Sequence, residues 1–110
     1  MRICVVLAFS LWIVVLAVAQ SYRPKEGYVP DSATAVKIAE AVLVPIYGKK
    51  QIESEQPFTA KLKDDVWTVS GTLYCSDGKG GRTTEPCLGG TAVVQISKVD
   101  GRVISMIHYK

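Results

Sequence analysis

The stretch CSDGKGGRTTEPC, running from Cys75 to Cys87, gathers glycine, charge and two thiols in one short loop. Three chemistries use such residues. A phosphate cradle needs a Gly-Lys-Ser/Thr ending that opens a helix, and Asp77-Gly-Lys-Gly-Gly has neither the ending nor a helical pattern after it. A calcium loop needs alternating carboxylates and a terminal glutamate, which are missing here. A zinc site needs more than two thiolates with no histidine nearby. His108, the only histidine, could act as a general base, but no serine or cysteine nucleophile is placed with it by any motif. It reads as a partly buried residue near a strand end. Asp64-Asp65 are adjacent in a turn, so their side chains diverge rather than share a proton.

The remaining role for the thiols depends on the compartment. Arg2 precedes the apolar run ICVVLAFSLWIVVLAVA, which ends in Ala17-Val18-Ala19 before Gln20. That is the pattern of a cleaved secretory signal peptide over residues 1–19, with retention as an anchor the alternative. Periplasmic or extracellular export is the expectation. Of the three cysteines, Cys4 leaves with the leader, and an even pair in an exported chain reads as a Cys75–Cys87 disulfide. The formal charge of +3 falls by one with Arg2, so no polyanion partner is implied. Residues 20–110 suffice for one small domain.

The elements that position these residues follow from periodicity. Residues 20–29 carry a proline, a glycine and mixed charge, and read as a flexible lead-in to a single domain over 30–110. Pro30-Asp31-Ser32 announces a helix, capped by Asp31 or Ser32. Ala35, Ile38, Ala39, Val42 and Ile46 form its apolar face, with Thr34, Lys37, Ala41 and Val44 opposite. Pro45 predicts a helix end near Val44, and Gly48 lets the chain reverse.

Beyond Lys50 the period changes to two. Gln56 to Lys63 alternates Phe58, Ala60 and Leu62 with polar residues, and Asp64-Asp65 turns the chain. VWTVSGTLYC places Trp67, Val69, Leu73 and Cys75 on one face. TAVVQIS buries Ala92, Val94 and Ile96, and Val103 to Tyr109 forms the fourth strand. The last hairpin has two registers. A two-residue Asp100-Gly101 turn sets Ile96 opposite Ser105 and dries Ser105, Ile107 and Tyr109. A Val99-Asp100-Gly101 loop with a glycine bulge sets Ile96 opposite Ile104 and dries Ile104, Met106 and His108. The second buries more apolar surface and is the expected one.

The predicted fold is α+β: one N-terminal helix packed on a four-stranded antiparallel meander sheet. The Cys75–Cys87 loop joins strands two and three, leaving Asp77, Lys79, Arg82 and Glu85 available to meet a partner. Tyr47 and Tyr74 are the aromatic residues better placed to show at a surface, since Trp67 alternates inward.

Gly27-Tyr28-Val29-Pro30-Asp31, AVKIAEAVLVPIYGKKQI, QPFTAKL, VWTVSGTL and GGTAVVQISKVDGRVISMIHYK, in that order, resemble the NTF2-fold immunity protein family of bacterial polymorphic toxin systems. The most specific pieces are the helix running into Pro45-x-Tyr47-Gly48, the Val66-Trp67-x-Val69-x-Gly71 strand, and Gly89-Gly90 before the isoleucine-rich hairpin. The resemblance implies a reduced NTF2-like fold, which the single helix on an antiparallel sheet also likens to a cystatin, and a non-enzymatic role without cofactor or metal. Its implied partner is a cognate protein toxin, neutralised by contact, with the protein a monomer or weak dimer and neither nucleic acid nor membrane a partner after cleavage. Asp77, Lys79, Arg82, Glu85, Tyr47, Tyr74 and His108 are the candidate contact residues. The alternatives are a small secreted enzyme or ligand carrier using the sheet face, and a cystatin-like inhibitor of a hydrolase.

Overall fold

The computed structural model describes residues 19, 21–84 and 89–110. The leader reading, Glu85 and Cys87 therefore lie outside the described residues. Two helices, α1 (Ser32–Tyr47) and α2 (Lys49–Ser54), precede β1 (Thr59–Lys63), β2 (Val66–Ser70), β3 (Cys75–Ser76), β4 (Arg82–Thr83), β5 (Ala92–Ser97) and β6 (Val103–His108). The main sheet runs β1-β2-β5-β6, every neighbour antiparallel, and β3-β4 forms a small side hairpin. With that hairpin set aside, the main sheet is a four-stranded meander carrying α1 on one face.

Asp31 caps α1, accepting the Thr34 amide at 2.7 Å. The helix outruns the expected end near Val44 and continues to Tyr47 with Pro45 inside it. Proline removes the bond to the Ala41 carbonyl, but Ala41 and Pro45 are both exposed, so water can serve that carbonyl. The Gly48 amide closes the final turn on the Val44 carbonyl at 2.8 Å. The buried row is Ala35, Ala39 and Leu43, with Ile38 and Val42 at its edges, whereas Ile46 is 60% exposed. The helix is thus rotated from the expected face. Two alanines at four-residue spacing let the backbone approach the sheet, and Leu43 fills the space beyond them.

A second helix was not expected. The six residues of α2 are anchored by Ile52, buried among the core side chains. From there the chain enters β1 through Phe58, also buried. The turn Asp64-Asp65 has both residues at positive φ, 49° and 59°, the geometry of a two-residue hairpin loop. Trp67 and Val69 on β2 face Ile96 and Val94 on β5, so the predicted inward set of β5 holds and that of β2 holds as far as Val69, while Leu73 and Cys75 lie beyond the strand and are half-buried.

Two strand expectations change. Regular β2 stops at Ser70, short of Cys75, because Gly71 passes against Glu55 and Phe58, and a Cβ there would sit 3.0 Å from the Glu55 Cβ. In the last hairpin Ile96 pairs with Val103, not Ile104. The loop spans 98–101, closed by the Ser97 amide on the Arg102 carbonyl at 2.8 Å, and Ile104 is the extra residue of a bulge. Beyond it Met106 faces Val94 and His108 faces Ala92, as the favoured register required, while Ile104 is left exposed.

The lead-in also joins the fold at its end. The amides of Tyr28 and Val29 donate to the carbonyls of Val99 and Lys98 at 3.1 and 3.0 Å, and Val29 is fully buried. The Trp67 indole N–H donates to the Val29 carbonyl at 2.8 Å, strapping this segment across the sheet end. Gly27–Val29 is docked backbone rather than flexible leader.

Candidate functional site

The sequence singled out residues at the end of α1, in and beside the cysteine loop and on the last strand, and the structure gathers the described ones into two neighbouring clusters. The first lies on the side hairpin. Asp77 turns its own loop: one carboxylate oxygen accepts the amides of Lys79 at 2.7 Å and Gly81 at 3.0 Å. Those two bonds hold its carboxyl below the ordinary aspartate value, with the Lys79 amide the larger cause. Asp77 is therefore occupied in shaping the loop. The Arg82 guanidinium lies 4.6 Å from the Tyr74 ring centre, a cation stacked on an aromatic face. The Tyr74 hydroxyl donates to the Gln56 carbonyl at 2.7 Å. Lys79 and Arg82 remain exposed on the hairpin. Cys75 opens β3 half-buried, and the residue it was paired with by sequence lies outside the described residues.

The second cluster centres on a residue that sequence reasoning passed over. Glu55 ends α2 and is 5% exposed, a buried carboxylate. One of its oxygens accepts the Ala92 amide at 2.7 Å where β5 begins. The other takes Gln51 Nε2 at 3.1 Å and meets His108 Nε2 at 3.3 Å. Its backbone carbonyl accepts the Thr72 amide at 2.7 Å. One residue thus ties α2, the segment after β2, β5 and the end of β6. His108 is further held by Tyr47, whose ring centre lies 5.0 Å away at 47°. Tyr47 and His108 are thus brought together.

Between the clusters runs a groove of about 280 Å³, walled by residues that include Gln51, Glu55, Tyr74, Arg82, Gly90 and Thr91. The hydroxyls on it are committed: Ser54 donates to the Gln51 carbonyl, Thr72 to Pro57 and Thr91 to Gly71. His108 Nε2 meets the Glu55 carboxylate, a contact that braces the end of β6 against the end of α2. No group of three or more histidine, cysteine, aspartate or glutamate residues among the described residues could hold a metal. No helix among them is long and apolar enough to cross a membrane.

The signal that could have found Glu55 is faint. Gln51 and Glu55 stand four apart, one helical turn, and precede Gln56-Pro57. Nothing local indicates that residues 92 and 108 will close over the carboxylate.

Comparison with known proteins bears on the whole of this arrangement. The family described as NTF2 fold immunity protein matches residues 34–110, from the first turn of α1 through β6. The uncharacterized protein YhhH of Escherichia coli (strain K12) is 28% identical over 82 residues, covering 74% of this chain. The chain spans 58% of the length of that relative. No solved structure matches.

Proposed function

The chain belongs to the NTF2 fold immunity protein family, and from that premise we propose that it is an exported binding protein that neutralises a cognate toxin by protein contact. The observation that carries the reading is the family match over residues 34–110, which takes in both clusters and the entire sheet. Other features support it. The buried polar groups of the Glu55 cluster are spent on one another and on backbone, leaving shape and surface charge as the means of action. The leader over 1–19 would carry the protein across the inner membrane, and a Cys75–Cys87 disulfide would brace the loop bearing Lys79, Arg82 and Glu85.

The test is protection. Cells expressing a toxin encoded beside this chain should grow only when the chain is co-expressed, and the two purified proteins should form a stoichiometric complex in which the toxin's hydrolytic activity is lost. Sustained toxicity against every neighbouring candidate would end the reading. Retained complex with His108→Ala would place that residue in the scaffold, whereas loss of a small-molecule activity would favour a ligand carrier.

A further inference from the structure

The two edges of the sheet are not alike. β6 is broken by the bulge at Ile104, a device that spoils further strand addition. β1 is regular across all five of its pairs with β2 and, among the described residues, has no partner on its other side in the sheet. The two-residue turn makes Lys63 and Val66 its closing hydrogen-bonded pair, so Lys61 and Thr59 also direct their backbone toward β2. The backbone groups of Ala60 and Leu62 consequently point outward. Their side chains share the face of Val69 and Trp67, and Leu62 is 46% exposed.

Beside that edge α1 and β1 enclose a groove of about 610 Å³, whose lining includes Ala33, Val36, Lys37, Phe58 and Ala60. Its floor is apolar. Lys37 is exposed on the helix side, and Lys61 and Lys63 are exposed on the strand, pointing to the opposite sheet face. Glu40, at the groove's other end, is held by the Gln56 amide at 3.2 Å. Lysines on an edge repel a second copy of the same strand, yet they attract one of opposite charge.

We propose that β1 is the docking edge of this protein, and that its occupant is an extended segment of a partner protein alternating acidic and apolar residues. The segment adds as a fifth strand, bonding to the backbone of Ala60 and Leu62. Its apolar side chains enter the α1–β1 groove and cover Leu62. Its carboxylates stand opposite Lys61 and Lys63. The inference rests on the reading of the chain as a protein that acts by contact, and names the surface and the kind of partner.

The probe is a synthetic octapeptide of alternating glutamate and valine, acetylated and amidated, titrated into the full chain while backbone amide shifts are followed. Saturable shifts confined to β1 and the facing residues of α1 are expected, together with protection of the Ala60 and Leu62 amides from exchange. The alternating lysine and valine peptide should bind at least tenfold more weakly. Lys61→Glu with Lys63→Glu should invert that preference, and Leu62→Pro, which removes an outward amide without touching the β1–β2 ladder, should abolish binding while the sheet stays folded by circular dichroism. No binding, shifts centred on β6 or the open sheet face, or an unchanged preference after charge inversion would overturn the proposal. A toxin complex that survives Lys37→Glu and Lys61→Glu unweakened would also overturn it, while leaving the immunity reading standing.

Discussion

Replacing Glu55 with alanine should be among the most damaging single changes in this protein. The substitution deletes the acceptor 2.7 Å from the Ala92 amide, and Ala92 is fully buried, so no water can take the carboxylate's place without opening the fold. Hydrogen bonds to charged acceptors contribute about 1.5–3 kcal/mol, and a buried donor left unpaired costs about 1–3 kcal/mol, two descriptions that overlap for this one bond. The bonds to Gln51 and His108 are longer and partly solvated, and add about 1 kcal/mol together. A loss of about 2.5–4 kcal/mol is expected, a large share of the roughly 5–15 kcal/mol that holds a small domain. Glu55→Gln keeps an oxygen for Ala92 but can turn an amide N–H toward Gln51 and His108, and should lose only about 1–2 kcal/mol. Urea unfolding followed by tryptophan emission gives both values from the midpoint at constant slope. Should the alanine variant lie within about 0.5 kcal/mol of the parent with an unchanged slope, the assignment of Glu55 as the brace between α2 and the sheet is wrong.

Three further outcomes are expected. Asp31, Asp77 and Asp100 all have carboxyls held below the ordinary value, by the Thr34 hydroxyl and amide, by the Lys79 and Gly81 amides, and by the Arg102 amide with the Ser97 hydroxyl respectively. Depressed folded values mean that their stabilisation is present above the unfolded aspartate value and is lost as pH falls through the folded ones. Thermal midpoints should therefore drop below about pH 4, and Asp31→Asn, Asp77→Asn and Asp100→Asn together should flatten that acid limb. Gly27 sits at φ 82°, where an added Cβ would strike the Lys98 carbonyl oxygen, so Gly27→Ala should cost more than about 1 kcal/mol in chemical denaturation and free the Val29 strap. Protein recovered from an oxidising compartment should show a Cys75–Cys87 crosslink by non-reducing peptide mapping, with reduction or Cys75→Ser lowering stability by about 3 kcal/mol.

The parts of the fold that were legible are those in which one strand carries its own pattern. Ala92, Val94 and Ile96 alternate with Thr91, Val93 and Gln95 and are all buried, so β5 could be read without its partners. The helix was legible in its start at the Asp31 cap but in neither its end, which passes Pro45 to Tyr47, nor its rotation, since which of Leu43 and Ile46 goes inward depends on the sheet beneath them. The six residues of α2 escaped notice because Ile52 is their only apolar side chain and a single such residue has no period. Tyr47 and His108 were singled out as a surface aromatic and an edge residue and turn out half-buried against each other, while Glu55 was not singled out, because its bonds reach 37 and 53 residues along the chain. A buried acid acquires its role only when distant strands close on it.

The meander has a consequence for the order in which the protein assembles. β1 and β2 are joined by two residues and β5 and β6 by a short loop, so each hairpin can close on the microsecond scale. The seam between β2 and β5 is different. Ser70 and Ala92 are separated by residues 71–91, and their pairing must pay the entropy of closing that longer segment before any of its contacts form. Folding thus has two fast halves and one slow joint, and the Glu55 bond to Ala92 lies at that joint. Changes there should slow the refolding arm of a denaturant kinetic plot, whereas changes at the Asp64-Asp65 turn should act mostly on the early hairpin.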